Sequence, residues 1–77
     1  MKDKVKKIIG GVFNLELDSI NDDASPDNIM NWDSLNHMNL IVSLEEEFSI
    51  RFSDQEIGEM LNLELIIYII RQKVNLQ

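Results

Sequence analysis

Apolar positions recur along this chain at helical spacing, and no stretch alternates convincingly at the two-residue period of a strand. Val5, Ile8, Ile9, Val12 and Phe13 fall at i, i+3, i+4, i+7 and i+8. That single stripe predicts a first helix from about Asp3 to Leu15. Gly10 and Gly11 interrupt it at a cost of about 1 kcal/mol each against Ala, and their missing side chains leave room for a close neighbour or for fraying. A second helix is predicted from about Ser34 to Ser49, with Asp33 or Ser34 as its N-cap. Ser53 and Glu56 have capping-box spacing and open a short third helix, its apolar face supplied by Ile57, Met60 and Leu61. A fourth helix runs from about Leu63 to Val74, with Leu65, Ile66, Ile69 and Ile70 turned inward. It is apolar on nearly every side, so Ile67 is either buried by the third helix or marks a contact with a partner or a second copy. The expected fold is all-α: a small four-helix bundle of three main helices and a short third, with a long loop between the first two.

That loop, Glu16 to Asp33, is dense in turn formers: Asp18, Asn21, Asp22, Asp23, Ser25, Pro26 and Asn28. Loops of this length are uncommon in compact domains and often functional. Ile20 and Ile29 are expected to pin it to the core, and Trp32 is a further anchor. A calcium loop is excluded. The sixth position from Asp18 is Asp23, where glycine is needed, and the twelfth is Ile29, where a bidentate Glu is needed.

At about 100° per residue the second helix has more apolar surface than one buried face requires. Leu40, Ile41, Leu44 and Phe48 share one arc. Leu35, Met38 and Val42 share another, between Ser34 and the acids Glu45, Glu46 and Glu47. Either the loop covers this second strip or it is a binding surface rimmed by carboxylates. The unbranched Met38 suits a surface reused by several partners.

Composition narrows the choice. Seventy-seven residues allow one domain, 1–77, and the 44% apolar content is that of a folded chain. Without cysteine there is no disulfide and no thiolate metal site, and the single histidine, His37, builds no zinc site. Fourteen acidic residues face seven basic ones, and nine of the carboxylates lie between Ile8 and Ile50, where no Lys or Arg occurs. Such a surface disfavours nucleic acid and anionic lipid and favours basic partners, although solubility alone also accounts for it. The most apolar run, Leu65 to Ile70, is far short of the roughly 20 residues of a membrane span. With no signal-peptide pattern at the start, a soluble, cytoplasmic protein is expected.

Ser34 stands at a predicted helix start, just after an acid. Free N–H groups and the helix dipole there favour an attached or bound phosphate; a plain capping role explains the residue as well. No second His, Lys or Arg lies close in sequence to act as its base, and His37, one turn on, reads as a structural or surface residue.

The stretch from Asn21 to Ile57, NDDASPDNIMNWDSLNHMNLIVSLEEEFSIRFSDQEI, resembles the acyl carrier protein family. The resemblance rests on the triplet Asp33-Ser34-Leu35 at the start of the second helix. Its context is the acidic Asp22 to Ser25 upstream, the L-x-x-x-L-E-E-E-F run from Leu40 to Phe48, the turn from Ile50 to Phe52, and the pair Tyr68-Ile69. It implies a non-enzymatic carrier in which Ser34 receives 4′-phosphopantetheine from coenzyme A and holds acyl groups as thioesters on that arm. A phosphopantetheinyl transferase would attach the arm, and Asp33 would help position that enzyme and its metal. Acyl-loading ligases or acyltransferases and downstream synthases with basic docking patches would be the other partners. Leu35, Met38 and Val42 match partner-facing apolar positions, and Glu45 and Glu46 match the later acids. Asn39 replaces a common acid, Ile67 replaces a common polar residue, and Trp32, Asn36 and His37 look like stand-alone carriers of specialised pathways. The expectation is a monomeric carrier serving fatty acid, polyketide or other specialised synthesis. An aminoacyl carrier, D-alanyl for example, and a helical interaction module without a prosthetic group are the alternatives.

Overall fold

Val5, Ile9 and Phe13, one turn apart, are buried, while Ile8 and Val12 beside them are half-buried, so the stripe on the first helix faces inward as its spacing requires. These positions come from a computed structural model that describes residues 1–75. Its helices are α1 (Lys2–Phe13), α2 (Ser34–Phe48), α3 (Asp54–Glu59) and α4 (Leu63–Asn75), with a short 3-10 turn at Leu17–Ser19. This is the expected small all-α bundle. No described helix is long and apolar enough to cross a membrane.

α1 stops at Phe13, two residues before the boundary expected from periodicity. Asn14 turns left-handed (φ 58°, ψ 51°), a conformation Asn tolerates better than most residues. The N–H groups of Asn14 and Leu15 both close on the Gly10 carbonyl. The chain folds back so tightly here that a Cβ on Gly10 would lie 2.8 Å from the Leu15 carbonyl oxygen, whereas one on Gly11 would meet open space. The first glycine admits a close neighbour; the second does not.

The core is completed by Leu40, Ile41 and Leu44 of α2, Ile50 and Phe52 after it, Met60, and Leu63, Ile66, Ile67, Ile69 and Ile70 of α4. Ile67 is therefore a core residue. Two residues expected inside are outside. Leu65 is exposed because the buried stripe of α4 centres on Leu63, Ile66, Ile67 and Ile70, with Ile69 at its edge, and Leu65 falls beyond that edge. Leu61 is exposed because α3 ends at Glu59, so the chain leaves the helical path before Leu61 can follow Met60 inward.

The long loop is pinned by Ile20, Ala24, Ile29 and Trp32, all buried. The Trp32 ring lies 5.2 Å from that of Phe13, joining the loop's end to α1. Asn28 ties the loop to itself: its Oδ1 accepts the Ser25 N–H (3.0 Å) and its Nδ2 donates to the Asp23 carbonyl (2.9 Å). The Leu63 N–H donates to the Ala24 carbonyl at 2.9 Å, fixing the loop to the start of α4. Lys6 (2.8 Å) and Lys2 (3.1 Å) pair with Asp22, and their hydrogen bonds, Lys6 first, hold its carboxyl below the usual carboxylate range.

α3, too short to persist alone, is held at its first turn. Ser53 Oγ accepts the Glu56 N–H (3.1 Å) and Glu56 Oε1 accepts the Ser53 N–H (2.8 Å), the capping box expected from spacing. Lys73 of α4 pairs with Glu56 at 2.9 Å and is the chief cause of its lowered pKa.

The two glycines of α1 are predicted to respond oppositely. Gly10→Ala should destabilise the fold by about 1–3 kcal/mol, because the new methyl meets backbone, whereas Gly11→Ala should stabilise it by up to about 1 kcal/mol. Urea denaturation of the two variants checks both signs.

Candidate functional site

α2 starts where it does because Asp33 supplies the missing acceptor. Its backbone is extended (φ −106°, ψ −176°), its Oδ1 accepts the Asn36 N–H at 2.9 Å, and its carbonyl accepts the His37 N–H at 2.8 Å. Asn36 Nδ2 donates back to the Asn31 carbonyl at 2.9 Å, which fixes the entering chain. With the cap taken by Asp33, Ser34 becomes the first helical residue. Its exposed side chain stands at the N-terminus of a 15-residue helix, where unpaired N–H groups and the dipole favour a phosphate.

A groove of about 490 Å³ opens beside Ser34, walled by Trp32, Asp33, His37 and Met38 on one side and by Ile57, Gly58, Met60 and Leu61 on the other. A larger cleft of about 660 Å³, along Ile8, Gly11, Asn39 and Glu46, does not include Ser34.

Both ring nitrogens of His37 have hydrogen-bond partners. The Trp32 indole N–H donates to its Nδ1 at 2.9 Å, and its Nε2 lies 3.0 Å from the Ile57 carbonyl oxygen. An indole N–H can only donate and a carbonyl can only accept, so Nδ1 is bare and Nε2 carries the proton. Both ring nitrogens are thus engaged by groups other than Ser34. The sequence suggested a loop anchor at Trp32 and a structural or surface residue at His37, but not the bond between them. The available signal was a buried indole donor with a single imidazole five residues on.

Leu35, Met38 and Val42 are not covered by the loop: they are 72%, 47% and 51% exposed. Met30, on the loop, is 97% exposed, and Leu61 lies open across the groove; neither was singled out from the sequence as surface. The acids that follow differ from one another. Glu45 is half-buried and its Oε2 accepts the Phe52 N–H at 2.9 Å, so it holds the turn between α2 and α3. Glu47 pairs with Lys4 at 3.4 Å. Glu46 is exposed and continues the Leu35–Met38–Val42 strip at helical spacing.

This geometry is matched by similarity to known proteins. Residues 3–65 match the family model described as a phosphopantetheine attachment site. An acyl carrier protein of Buchnera aphidicola subsp. Schizaphis graminum is 41% identical over 59 residues, covering 77% of this chain and 73% of the relative. One from Buchnera aphidicola subsp. Acyrthosiphon pisum (strain Tuc7) is 34% identical over 95% of this chain and 91% of its own length. One from Thermosynechococcus vestitus is 31% identical over 94% and 89%. The chain belongs to the acyl carrier protein family. Its role is that of an acyl carrier, and the cofactor is covalently attached 4′-phosphopantetheine. Membership implies handling by a phosphopantetheinyl transferase and by biosynthetic enzymes. The residues around Ser34 fit such a group: an exposed hydroxyl free of the capping role, a helix N-terminus for the phosphodiester, and an apolar groove alongside.

Removing the cap separates structure from chemistry. Asp33→Ala should cost about 1 kcal/mol, and Asp33→Asn only a few tenths, because the amide oxygen still accepts the Asn36 N–H. Denaturant midpoints of the two variants test this.

Proposed function

We propose that Ser34 is the residue that bears the 4′-phosphopantetheine arm and that residues 1–77 act as one carrier domain. In the attachment step the Ser34 hydroxyl oxygen bonds to the β-phosphorus of coenzyme A. The phosphoanhydride bond breaks, 3′,5′-ADP leaves, and the hydroxyl proton is lost to the transferase. The arm, once attached, supplies the thiol that holds acyl groups as thioesters. The observation that carries this reading is the Ser34 hydroxyl, exposed at the N-terminus of α2 with the cap supplied by Asp33.

The protein itself performs no catalysis; supporting this reading, the ring nitrogens of His37 are bonded to Trp32 and Ile57 rather than to Ser34. It is a cytoplasmic, monomeric shuttle for fatty acid, polyketide or other specialised synthesis. Leu35, Met38 and Val42, with Asp33, Glu45 and Glu46 around them, form the docking strip for the transferase, for acyl-loading ligases or acyltransferases, and for synthases with basic patches. Supporting this is the exposure of the three apolar side chains on the face of α2 opposite Leu40 and Leu44. Charge steering suits complexes that must also dissociate.

Incubation with coenzyme A, magnesium and a broad-specificity transferase should add one phosphopantetheine to the intact mass, and Ser34→Ala should add none. A wild-type chain that stays unmodified, while a control carrier is converted, would return the protein to the class of interaction modules.

The docking strip makes a separate prediction. Glu46→Lys should slow transfer several-fold at low salt, the gap closing as salt screens the contact, and should change stability by no more than about 0.5 kcal/mol. Glu45→Lys should also cost about 1–3 kcal/mol of stability, since the Phe52 N–H loses its acceptor. Transferase kinetics across a salt series, paired with denaturation curves, distinguish the two acids.

A further inference from the structure

We infer that the cleft between α1 and α2 is a docking surface in its own right, and that it takes a cationic helix of a partner protein that crosses α1 at Gly11. This cleft, about 660 Å³, shares no lining residue with the groove beside Ser34, so it stands apart from the carrier reading. One wall is Ile8, Gly11 and Val12 of α1; the other is Asn39, Ser43 and Glu46 of α2. The first three fall at i, i+3 and i+4 and the second three at i, i+4 and i+7, so each wall follows a single helix face. The trough between two packed helices is the shape that a third helix fills, its side-chain ridge lying in the groove.

Gly11 is unexplained by the folded chain. A glycine inside a helix costs stability against alanine, because its backbone loses more freedom on folding. At Gly10 the close Leu15 carbonyl demands it. At Gly11 the φ is not positive, and apart from its neighbours in α1 nothing lies within 4 Å of where a Cβ would stand. An alanine would fit there and strengthen α1. What glycine provides is bare, exposed backbone on the wall of a cleft, and an incoming helix approaches such a wall more closely than a side chain permits.

The lining sets the charge of that helix. Ile8 and Val12 are apolar and half-buried, Asn39 and Ser43 are neutral, and the ionised residues are Glu46 and Glu47, with no Lys or Arg among them. Lys4 meets Glu47 at 3.4 Å, but both side chains are about half exposed, which makes the pair weak. Glu46 is exposed and has no ion pair among the described residues. A helix with small apolar residues on one face and Lys or Arg along its flank matches both walls, whereas an anionic partner is repelled.

The test follows the backbone amide signals of the isotope-labelled chain, without its arm, by NMR. The chain is titrated with a synthetic helical peptide that carries an Ala/Leu face flanked by lysines, and with a twin bearing glutamate at every lysine. The lysine peptide should shift the signals of Ile8 to Val12 and of Asn39 to Glu47, and the glutamate twin should shift none. Gly11→Ala should bind the lysine peptide several-fold more weakly while unfolding at higher urea, and Gly11→Leu should bind it more weakly still. Glu46→Gln should weaken binding several-fold at low salt and little at high salt. A glycine with no part in docking gives a different result: the stabilised Gly11→Ala chain binds as well as the wild type, and that outcome overturns the inference. Shifts confined to Leu35, Met38 and Val42, equal binding of the glutamate twin, or no binding at all overturn it too. Because the arm is absent throughout, failure of enzymatic attachment at Ser34 refutes the carrier reading alone, while an indifferent Gly11→Ala refutes the cleft.

Discussion

One hydrogen bond sets the arrangement at the functional end of this molecule: the Asp33 carboxylate takes the Asn36 N–H and starts α2 there. A helix needs an acceptor for its first N–H groups, and either Asp33 or Ser34 could have supplied it. With the acid in that role, the serine is displaced to the first helical position, outward and unencumbered, at the positive end of a long helix. The rest of the architecture serves to hold Asp33 in place. The loop before it is fastened by Ile20, Ala24, Ile29 and Trp32, by Asn28, and by the bond from Leu63. A loop of this length would otherwise be mobile, and a mobile cap would leave the helix start, and the hydroxyl on it, undefined.

α2 divides its apolar residues between two tasks. Leu40, Ile41 and Leu44 are buried and supply packing energy; Leu35, Met38 and Val42 remain in water. An exposed apolar strip on so small a protein carries a risk of association, and the surrounding carboxylates reduce it while favouring cationic partners. The acids are not equivalent. The Glu45 carboxylate closes the turn onto Phe52 and Glu47 meets Lys4, so Glu46 is the acid of this trio most open to an incoming enzyme. The resemblance to acyl carriers could equate Glu45 with Glu46, because similarity of position carries no information about which way a carboxylate turns.

His37 shows the same division between chemistry and support. A histidine one turn beyond a candidate serine invites a catalytic reading. With its nitrogens held by an indole donor and a backbone acceptor, it is instead a strut between the loop and α3.

Much was legible in the residues alone, because it depends on neighbours within one or two turns. Helical period placed four helices, the Ser53–Glu56 pair placed the start of α3, and the Asp33-Ser34-Leu35 context pointed to the family. What the chain did not disclose depends on segments far apart in sequence. Leu61 and Leu65 face water because of where α3 stops and which stripe α4 presents to its neighbours. α1 ends at Phe13 because Leu15 folds back over Gly10. The bond from His37 to Ile57 spans twenty residues, and no periodicity forecasts such a meeting. Local hydrogen bonding and hydrophobic spacing determined which helices form and where the hydroxyl stands; only packing in three dimensions decided which side chains remained free to meet a partner, because burial is settled by what arrives from elsewhere in the chain.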